Sequence, residues 1–440
     1  MTELTRAAIR ADLAEQVFAP PAGTGQERRI GVETEFIPVD AATGRRCPIE
    51  DESALSTLPF LRRFGAGNGW VETKTTKGTP CFQVALGGTL TFEPGGQLEY
   101  SSPACRTPSE LLGLLRGVVP PLRSAAANEG ICLMATGIDP VNSIEQSPLL
   151  LAGKRYGRMA EYLERRGPWG ARMMRQTASL QLSVDIGEEP WARWRVLNAA
   201  ASYVVAIFAN SSLYEGRNTG WRSTRSRAWR ELDHLRTGLP YNSRTPLDKY
   251  LEFALDAPAM LMPAVNGENR PFREWLGLAA PTIDEWRDHL STLFPEVRPR
   301  GHFELRSADA VPPQWYAAPL ALVTGIVYDP EALRAAIDLL GLPDLGLLQR
   351  AGRLGLTDPQ LAGTAADLFA IALEGCERLG PEYFSRSDLD EAAEFFDRYT
   401  RLGRSPADDT EKEEMVVKFT AEAQRARRTS HRRTMYLVTS

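Results

Sequence analysis

Cysteine and histidine are scarce in this 440-residue chain, with five of the first and four of the second. The cysteines, at 47, 81, 105, 132 and 376, show neither C-x-x-C pairs nor zinc-ligand spacing, and their odd number fits free thiols in a reducing compartment and a cytoplasmic protein. A surplus of positive charge is missing too. Basic and acidic residues number 51 and 56, so a formal net charge of -5 offers no general attraction for nucleic acid, and an anionic ligand must be held by local arginines. The basic tail, Arg425 to Arg433, reads as a solvated helix face. Long apolar runs are absent: the longest, Ala317 to Tyr328, falls well short of the roughly 20 residues that span a bilayer. Residues 1 to 20 carry Glu3, Asp12 and Glu15 without an apolar segment, so they are not expected to be a signal peptide, and no membrane partner is expected. GxxxxGK(S/T), GxSxG, HExxH and HxE followed by PCxxC do not occur, which argues against P-loop, α/β-hydrolase, zincin and zinc-deaminase chemistry. There is no repeat of solenoid period and no low-complexity tract.

What is present is a set of alternating runs whose polar faces are unusual. Thr89 to Pro103, TLTFEPGGQLEYSSP, reads as a hairpin turning at Pro94-Gly95-Gly96. If Glu93 faces Gln97, then Phe92 faces Leu98, Thr91 faces Glu99 and Leu90 faces Tyr100, because antiparallel partners sum to a constant. Leu90, Phe92, Leu98 and Tyr100 then share one side, and Thr91, Glu93, Gln97 and Glu99 the other. Ile30 to Val39 alternates likewise, with Ile30, Val32 and Phe36 opposite Glu33 and Glu35. Gln176 to Gly187 sets Leu180, Leu182 and Val184 against Ser179, Gln181 and Ser183, and Gly301 to Ser307 sets Phe303 and Leu305 against His302, Glu304 and Arg306. As a lone histidine, His302 reads as structural. Between these strands the chain suggests helices at Thr5 to Phe18, Thr107 to Asn128 and Trp191 to Asn210, a strand at Ile131 to Thr136, turn-rich loop over 40–88, and an arginine-rich polar segment from Asn210 to Pro240. Helices are expected from Pro330 to the end.

Each polar strand face could simply lie in water, as antiparallel sheets commonly do. Taken together, they hold five glutamates and few of the threonines and lysines typical of a wet sheet. Five clustered carboxylates repel one another unless cations sit among them, and hard divalent ions, Mg²⁺ above all, take carboxylate, water and phosphate oxygens. The faces therefore read either as exposed strands in different places or as one cradle for a metal and nucleotide phosphates. At this length two or three domains are the prior, although one sheet with large helical layers also reaches the size.

IGVETEF, FEPGGQLEYSSP, Arg155-Tyr156, TASLQLSVD, FANSSLYEG, the Trp221 to Pro240 segment, FPEVR from Phe294 and FELRSAD from Phe303 occur in the order found in plant-type glutamate–cysteine ligases. The chain resembles that family, which is also represented in bacterial glutathione and ergothioneine pathways, from about Ile30 to Tyr328. The resemblance implies an α+β, glutamine-synthetase-like fold: a curved antiparallel sheet with helices on its outer face and a helical C-terminal layer. It implies a single catalytic domain over 1–440, with the sheet within about 28–310 and the helical region at about 330–440. The implied reaction uses ATP and Mg²⁺ to phosphorylate glutamate, whose acyl phosphate the amine of cysteine then attacks. Small-molecule substrates are the only partners implied; the oligomeric state is left open, monomer or weak dimer. By the same resemblance, Glu33, Glu35, Glu93, Glu99 and Glu304 are candidate Mg²⁺ ligands, while Gln97, Gln181 and Arg306 are candidates for the nucleotide. Arg225, Arg236, Gln181, Tyr156 and Trp229 are candidates for substrate, and Arg306 and Arg225 for catalysis. Two departures bear on the acceptor: the first strand reads GVETEF, closer to bacterial carboxylate–amine ligases, and Gln176 stands where plant enzymes carry arginine. A ligase of the same mechanism using another amine, or an inactive nucleotide-binding relative, are the alternatives.

Overall fold

The computed structural model describes residues 4–20, 27–76, 78–151, 153–241, 245–278 and 281–409. Among the described residues there are eleven strands: β1 Ile30–Asp40, β2 Val71–Lys74, β3 Pro80–Gln83, β4 Thr89–Phe92, β5 Leu98–Ser101, β6 Ile131–Met134, β7 Ser179–Asp185, β8 Leu213–Tyr214, β9 Arg217–Asn218, β10 Val297–Pro299 and β11 His302–Asp309. Nine form one sheet in the order β10-β11-β7-β1-β5-β4-β3-β2, with β6 paired to the outer half of β1. Every pairing is antiparallel. The four alternating runs are thus neighbours, β4-β5, β1, β7 and β11, and their polar faces form a single surface.

The opposite face is the core. Ile30, Val32, Phe36, Leu90, Phe92, Leu98, Tyr100, Leu180, Leu182, Val184, Phe303 and Leu305 are each no more than 3 % exposed. Helices Pro108–Asn128, Pro190–Ile207 and Ala317–Tyr328 cover that face. Ala317–Tyr328 has no polar side, and all of its residues are buried, as an all-apolar helix requires. It also approaches helix Pro359–Leu379 closely, since a Cβ on Gly325 would lie 2.1 Å from the carbonyl oxygen of Ala372. The helices after Pro330 continue to Arg398, and one hydrophobic cluster runs from Leu4 to Tyr399. The basic tail at 425–433 lies outside the described residues. Among the described residues no helix is long and apolar enough to cross a membrane.

Three local expectations are corrected. Residues 40–88 are not simply loop: they contain helix Thr57–Gly67 and the hairpin β2-β3. β2 is mostly exposed, with Val71 59 % exposed, so it lacks the apolar alternation that marks a half-buried strand. The Asn210 to Pro240 segment holds the β8-β9 ribbon and helix Thr224–Leu232, capped by the Ser223 hydroxyl accepting from Ser226 N. Its buried side includes Arg225 along with Ala228, Trp229 and Leu232, and a buried arginine breaks the periodic apolar signal. Gln176 ends helix Pro168–Gln176 rather than opening β7.

Candidate functional site

The β4-β5 hairpin adopts the register expected from its turn, with Thr91 opposite Glu99, Phe92 opposite Leu98 and Leu90 opposite Tyr100. Glu93 N donates to Gln97 O at 2.8 Å, and Gly96, at φ 81°, closes the loop with a bond from its N to Glu93 O. This turn is buried, which is unusual for a hairpin tip. Pro94 O accepts from Leu150 N at 2.7 Å and Gly95 O from Arg46 Nη2 at 2.5 Å. A Cβ on Gly95 would sit 2.3 Å from Arg175 O, so only glycine lets the tip seat there. Gln97, expected at the nucleotide, is part of this seating: it is buried, donates through Nε2 to Thr177 O at 2.9 Å, and does not line the cleft. Glu93 is thereby presented from a rigid corner.

A cleft of about 560 Å³ opens on the polar face, lined by Glu33, Glu35, Glu93, Glu99, Tyr156, Gln181 and Arg306, together with Arg155, Arg287, Arg298 and Arg300. Cross-strand pairing explains the grouping, because Glu35 faces Glu99 and Glu33 faces Gln181. Like charges directly opposite destabilise a sheet unless something compensates. Glu35 is partly compensated by bonds from Ser179 N at 2.7 Å, Ser179 Oγ at 3.1 Å and Gln181 Nε2 at 3.2 Å. Even so, burial raises its pKa against the pull of Arg225 and Ser179. Burial and then Glu304 raise that of Glu33, and Glu99 is pushed well above the usual carboxylate range by burial and by repulsion from Glu33, Glu93 and Glu35.

Glu304, expected among the metal ligands, differs from the other four. Burial disfavours its charge, but Arg298, Arg306 and Arg300 outweigh that and hold its pKa down at about 2. Arg298 grips both oxygens, Nε and Nη2 each at 2.9 Å, and Arg306 Nη1 bonds Oε1. Its oxygens are therefore engaged by arginines rather than open to an ion. Among the described residues no group of three or more His, Cys, Asp or Glu side chains is gathered tightly enough to hold a metal. Glu33, Glu35, Glu93 and Glu99 are a set of hard oxygen donors facing one space, not a closed cage. That donor set fits Mg²⁺, which is held by one or two carboxylates plus waters and substrate phosphates rather than by an all-protein cage.

The arginines sort differently from expectation. Arg306 lines the cleft, with Nη1 also bonded to Gln181 Oε1. Arg225 does not: it is buried, donates from Nη2 to Arg306 O at 2.7 Å and lies 4.5 Å over the ring of Trp229. Trp229 is likewise packed in an apolar cluster and does not line the cleft. Arg236, fully buried, is consumed by the fold. Its Nε bonds Asp233 at 3.1 Å, Nη1 bonds Thr292 O and Oγ1 at 3.1 and 2.9 Å, and Nη2 bonds Pro258 O. All three of its nitrogens are bonded within the protein, and it does not line the cleft. Arg236→Met leaves buried Asp233 with the Tyr162 hydroxyl and the more distant Arg166, at 3.8 Å, and breaking such a buried pair costs on the order of 3–5 kcal/mol. We expect chemical denaturation to show that loss while kcat per folded molecule stays at the wild-type value; a collapse of kcat without loss of stability would return Arg236 to the ligand.

Arg155, quoted among the motifs above without a role, lines the cleft where Arg225 and Arg236 do not. It sits in the first turn of helix Lys154–Glu164 and lines the cleft beside Tyr156, whose phenol burial and Glu93 push up. Its Nη2 donates to Ser291 O at 3.2 Å, but its buried Nε has no hydrogen-bond partner, and among the described residues no carboxylate lies within 4 Å of it. Arg287, by contrast, pairs with Asp12 at 2.6 Å. Gln176, the departure from the plant pattern, is sealed away from the cleft by bonds to Asn142 O and Ser147 Oγ and from the Tyr214 hydroxyl.

An antiparallel sheet that turns its carboxylate face into a cleft is the architecture of glutamine-synthetase-like ligases. The glutamate–cysteine ligase of Francisella tularensis, solved in complex with AMP, shares the fold at a TM-score of 0.50, covering 91% of this chain and 89% of its own at 11% identity. Residues 29–434 match the family described as glutamate-cysteine ligase family 2, and the chain belongs to that family. The glutamate–cysteine ligase EgtA of Mycolicibacterium smegmatis is 34% identical over 341 residues, 73% of this chain and 77% of that protein. The chloroplastic glutamate–cysteine ligase of Nicotiana tabacum is 28% identical over 349 residues, 73% of this chain and 65% of its own. The motif-borne resemblance and the fold it implied both hold.

Proposed function

We propose that this protein joins the γ-carboxylate of glutamate to the amine of cysteine at the expense of ATP, through γ-glutamyl phosphate. The observation that carries the reading is the meeting, in one cleft, of four carboxylates facing one another with Arg306. In the first step a γ-carboxylate oxygen attacks the γ-phosphorus of ATP and ADP departs. In the second, the amine attacks the acyl carbon, phosphate leaves and the amine nitrogen loses its proton. Mg²⁺, when bound, neutralises phosphate charge and orients it for in-line transfer. Glu33, Glu35, Glu93 and Glu99 are the residues that would hold it. Arg306 faces the phosphoryl in transfer, Gln181 holds Arg306 in place through its amide oxygen, and Arg155 and Tyr156 receive the amino-acid substrate. A second cavity of about 320 Å³ shares Glu33 with the cleft and is lined by Gly31, Ser102, Ala104 and Ser183 together with Arg29 and His302, which makes it the candidate place for the nucleotide base. The continuous core supports one catalytic unit, and the five free thiols agree with a cytoplasmic setting.

The test is ADP release with panels of acceptors and donors. Cysteine should be preferred, with 2-aminobutyrate still used, because differences of an atom or two in a pocket are worth only about 1–3 kcal/mol. A donor lacking the α-carboxylate, 4-aminobutyrate, keeps the reacting carboxylate but leaves the half-buried Arg155 without a carboxylate partner. Its kcat/KM should fall on the order of 10⁴-fold below glutamate, and Arg155→Met should erase most of that gap. No activity with cysteine but turnover with another amine would transfer the reading to that acceptor, and equal use of 4-aminobutyrate would remove Arg155 from the substrate.

A further inference from the structure

Arg306 reaches the cleft at a break in its strand. β11 faces β7 with Leu305 opposite Leu182 but Ala308 opposite Leu180, so three steps along one strand match two along the other. The extra residue is a bulge, and bulges strip backbone groups of their ladder partners while re-aiming side chains. Here the replacements are specific. Arg306 N donates to Glu296 O at 2.9 Å, and Arg306 O accepts from Arg225 at 2.7 Å. Ser307 Oγ donates to Glu296 Oε2 at 2.7 Å, while Glu296 Oε1 accepts from Arg230 Nη2 at 2.7 Å. Glu296 is 4 % exposed, so both of its oxygens are committed inside the protein, one to the bulge and one to helix Thr224–Leu232. Arg230 is anchored in turn by its Nη1 on Thr237 O at 2.6 Å.

We propose that Glu296 is a positioning residue: through Ser307 and Arg230 it sets the depth at which the bulge presents Arg306 to the reacting phosphoryl. The inference rests on the ligase reading above. Because Arg306 would meet charge that develops only in the transition state, a shift of the bulge lowers kcat and leaves ground-state binding nearly untouched. Displacements on the order of 1 Å are enough for about 10²-fold.

Three variants test this, with kcat per active site, KM for ATP and glutamate, and Tm measured on each. Ser307→Ala removes only the hydroxyl that ties the bulge to Glu296, and kcat should fall about tenfold with both KM values within about twofold. Glu296→Gln should fall about 10²-fold. Asp388→Asn disturbs a comparably buried acid, bound by Ser109, Ser385 and Arg116 in the helical layer, and should lower Tm without changing kcat. If Glu296→Gln does not fold, Ser307→Ala decides alone. Variants that fold and keep the wild-type kcat overturn the positioning role and leave the ligase reading standing, whereas a wild-type chain with no ATP-dependent ligation overturns both.

Discussion

Arg306→Lys should lower kcat on the order of 10²-fold, and Arg306→Ala by more, with little change in KM for either substrate. A preorganised cation aimed at developing charge costs nothing to reorganise during the reaction, and losing one such group typically costs about 10²–10³ in kcat. Arg306 is preorganised from several directions. Gln181 and Glu304 hold its Nη1, its carbonyl is held by Arg225, and burial, which disfavours its charge, is outweighed by Glu304 and Glu33. Lysine keeps the charge but loses the planar fork that can bond Glu304, Gln181 and a phosphoryl oxygen together. Steady-state kinetics at saturating ATP and glutamate settle the point. A lysine variant with wild-type turnover would make Arg306 a structural partner of Glu304 and nothing more.

Glu99→Gln is expected to move activity and stability in opposite directions. Glu99 faces Glu35 across the sheet, and burial together with Glu33, Glu93 and Glu35 raises its pKa well above the ordinary range. A carboxylate raised in the folded state binds more protons there than in the unfolded chain, so its contribution to stability falls as pH rises from the ordinary carboxylate range through the folded value. Without Mg²⁺, then, Glu33, Glu35 and Glu99 all weaken the fold toward neutral pH. Glu304, whose pKa is depressed, has the opposite sign: its contribution is present above the ordinary range and is lost as pH falls toward about 2. Replacing Glu99 by an amide of the same shape removes the repulsion, and Tm at pH 8 without metal should rise by a few degrees, with a smaller gain at pH 5. The same change removes a donor from the set proposed to meet Mg²⁺. At limiting Mg²⁺ the variant should lose on the order of 10²-fold in kcat/KM, and Glu93→Gln should weaken Mg²⁺–nucleotide binding without unfolding the protein. Full activity of both variants at limiting Mg²⁺ would sink the carboxylate cradle, and an unchanged Tm for Glu99→Gln would remove the repulsion from which the cradle is inferred.

Much of the site was legible because a strand writes its faces locally. Alternation with a period of two assigns each residue of TLTFEPGGQLEYSSP to a side, and a three-residue turn sets the register, so Leu90–Tyr100 and Thr91–Glu99 could be paired by counting. The same holds for Glu33 and Glu35 against Val32 and Phe36. Short exposed strands such as β2 carry no such contrast and were missed, as was helix Thr224–Leu232, whose buried side includes an arginine.

By itself, then, the sequence determined the alternating strands, the carboxylates on their polar faces, the hairpin that presents Glu93 and the family to which the chain belongs. Only the tertiary structure decided which charges face the cleft. Arg225, Arg236 and Arg155 look alike in the chain, yet one caps the backbone of a bulge, one is consumed by Asp233, Thr292 and Pro258, and one lines the cleft. Glu304 and Glu99 occupy equivalent positions on alternating strands, and one is depressed while the other is raised. A side chain's face follows from its neighbours in sequence, whereas the state of a charge follows from what distant segments pack against it, since burial and a counter-charge a few ångströms away outweigh anything the adjacent residues supply.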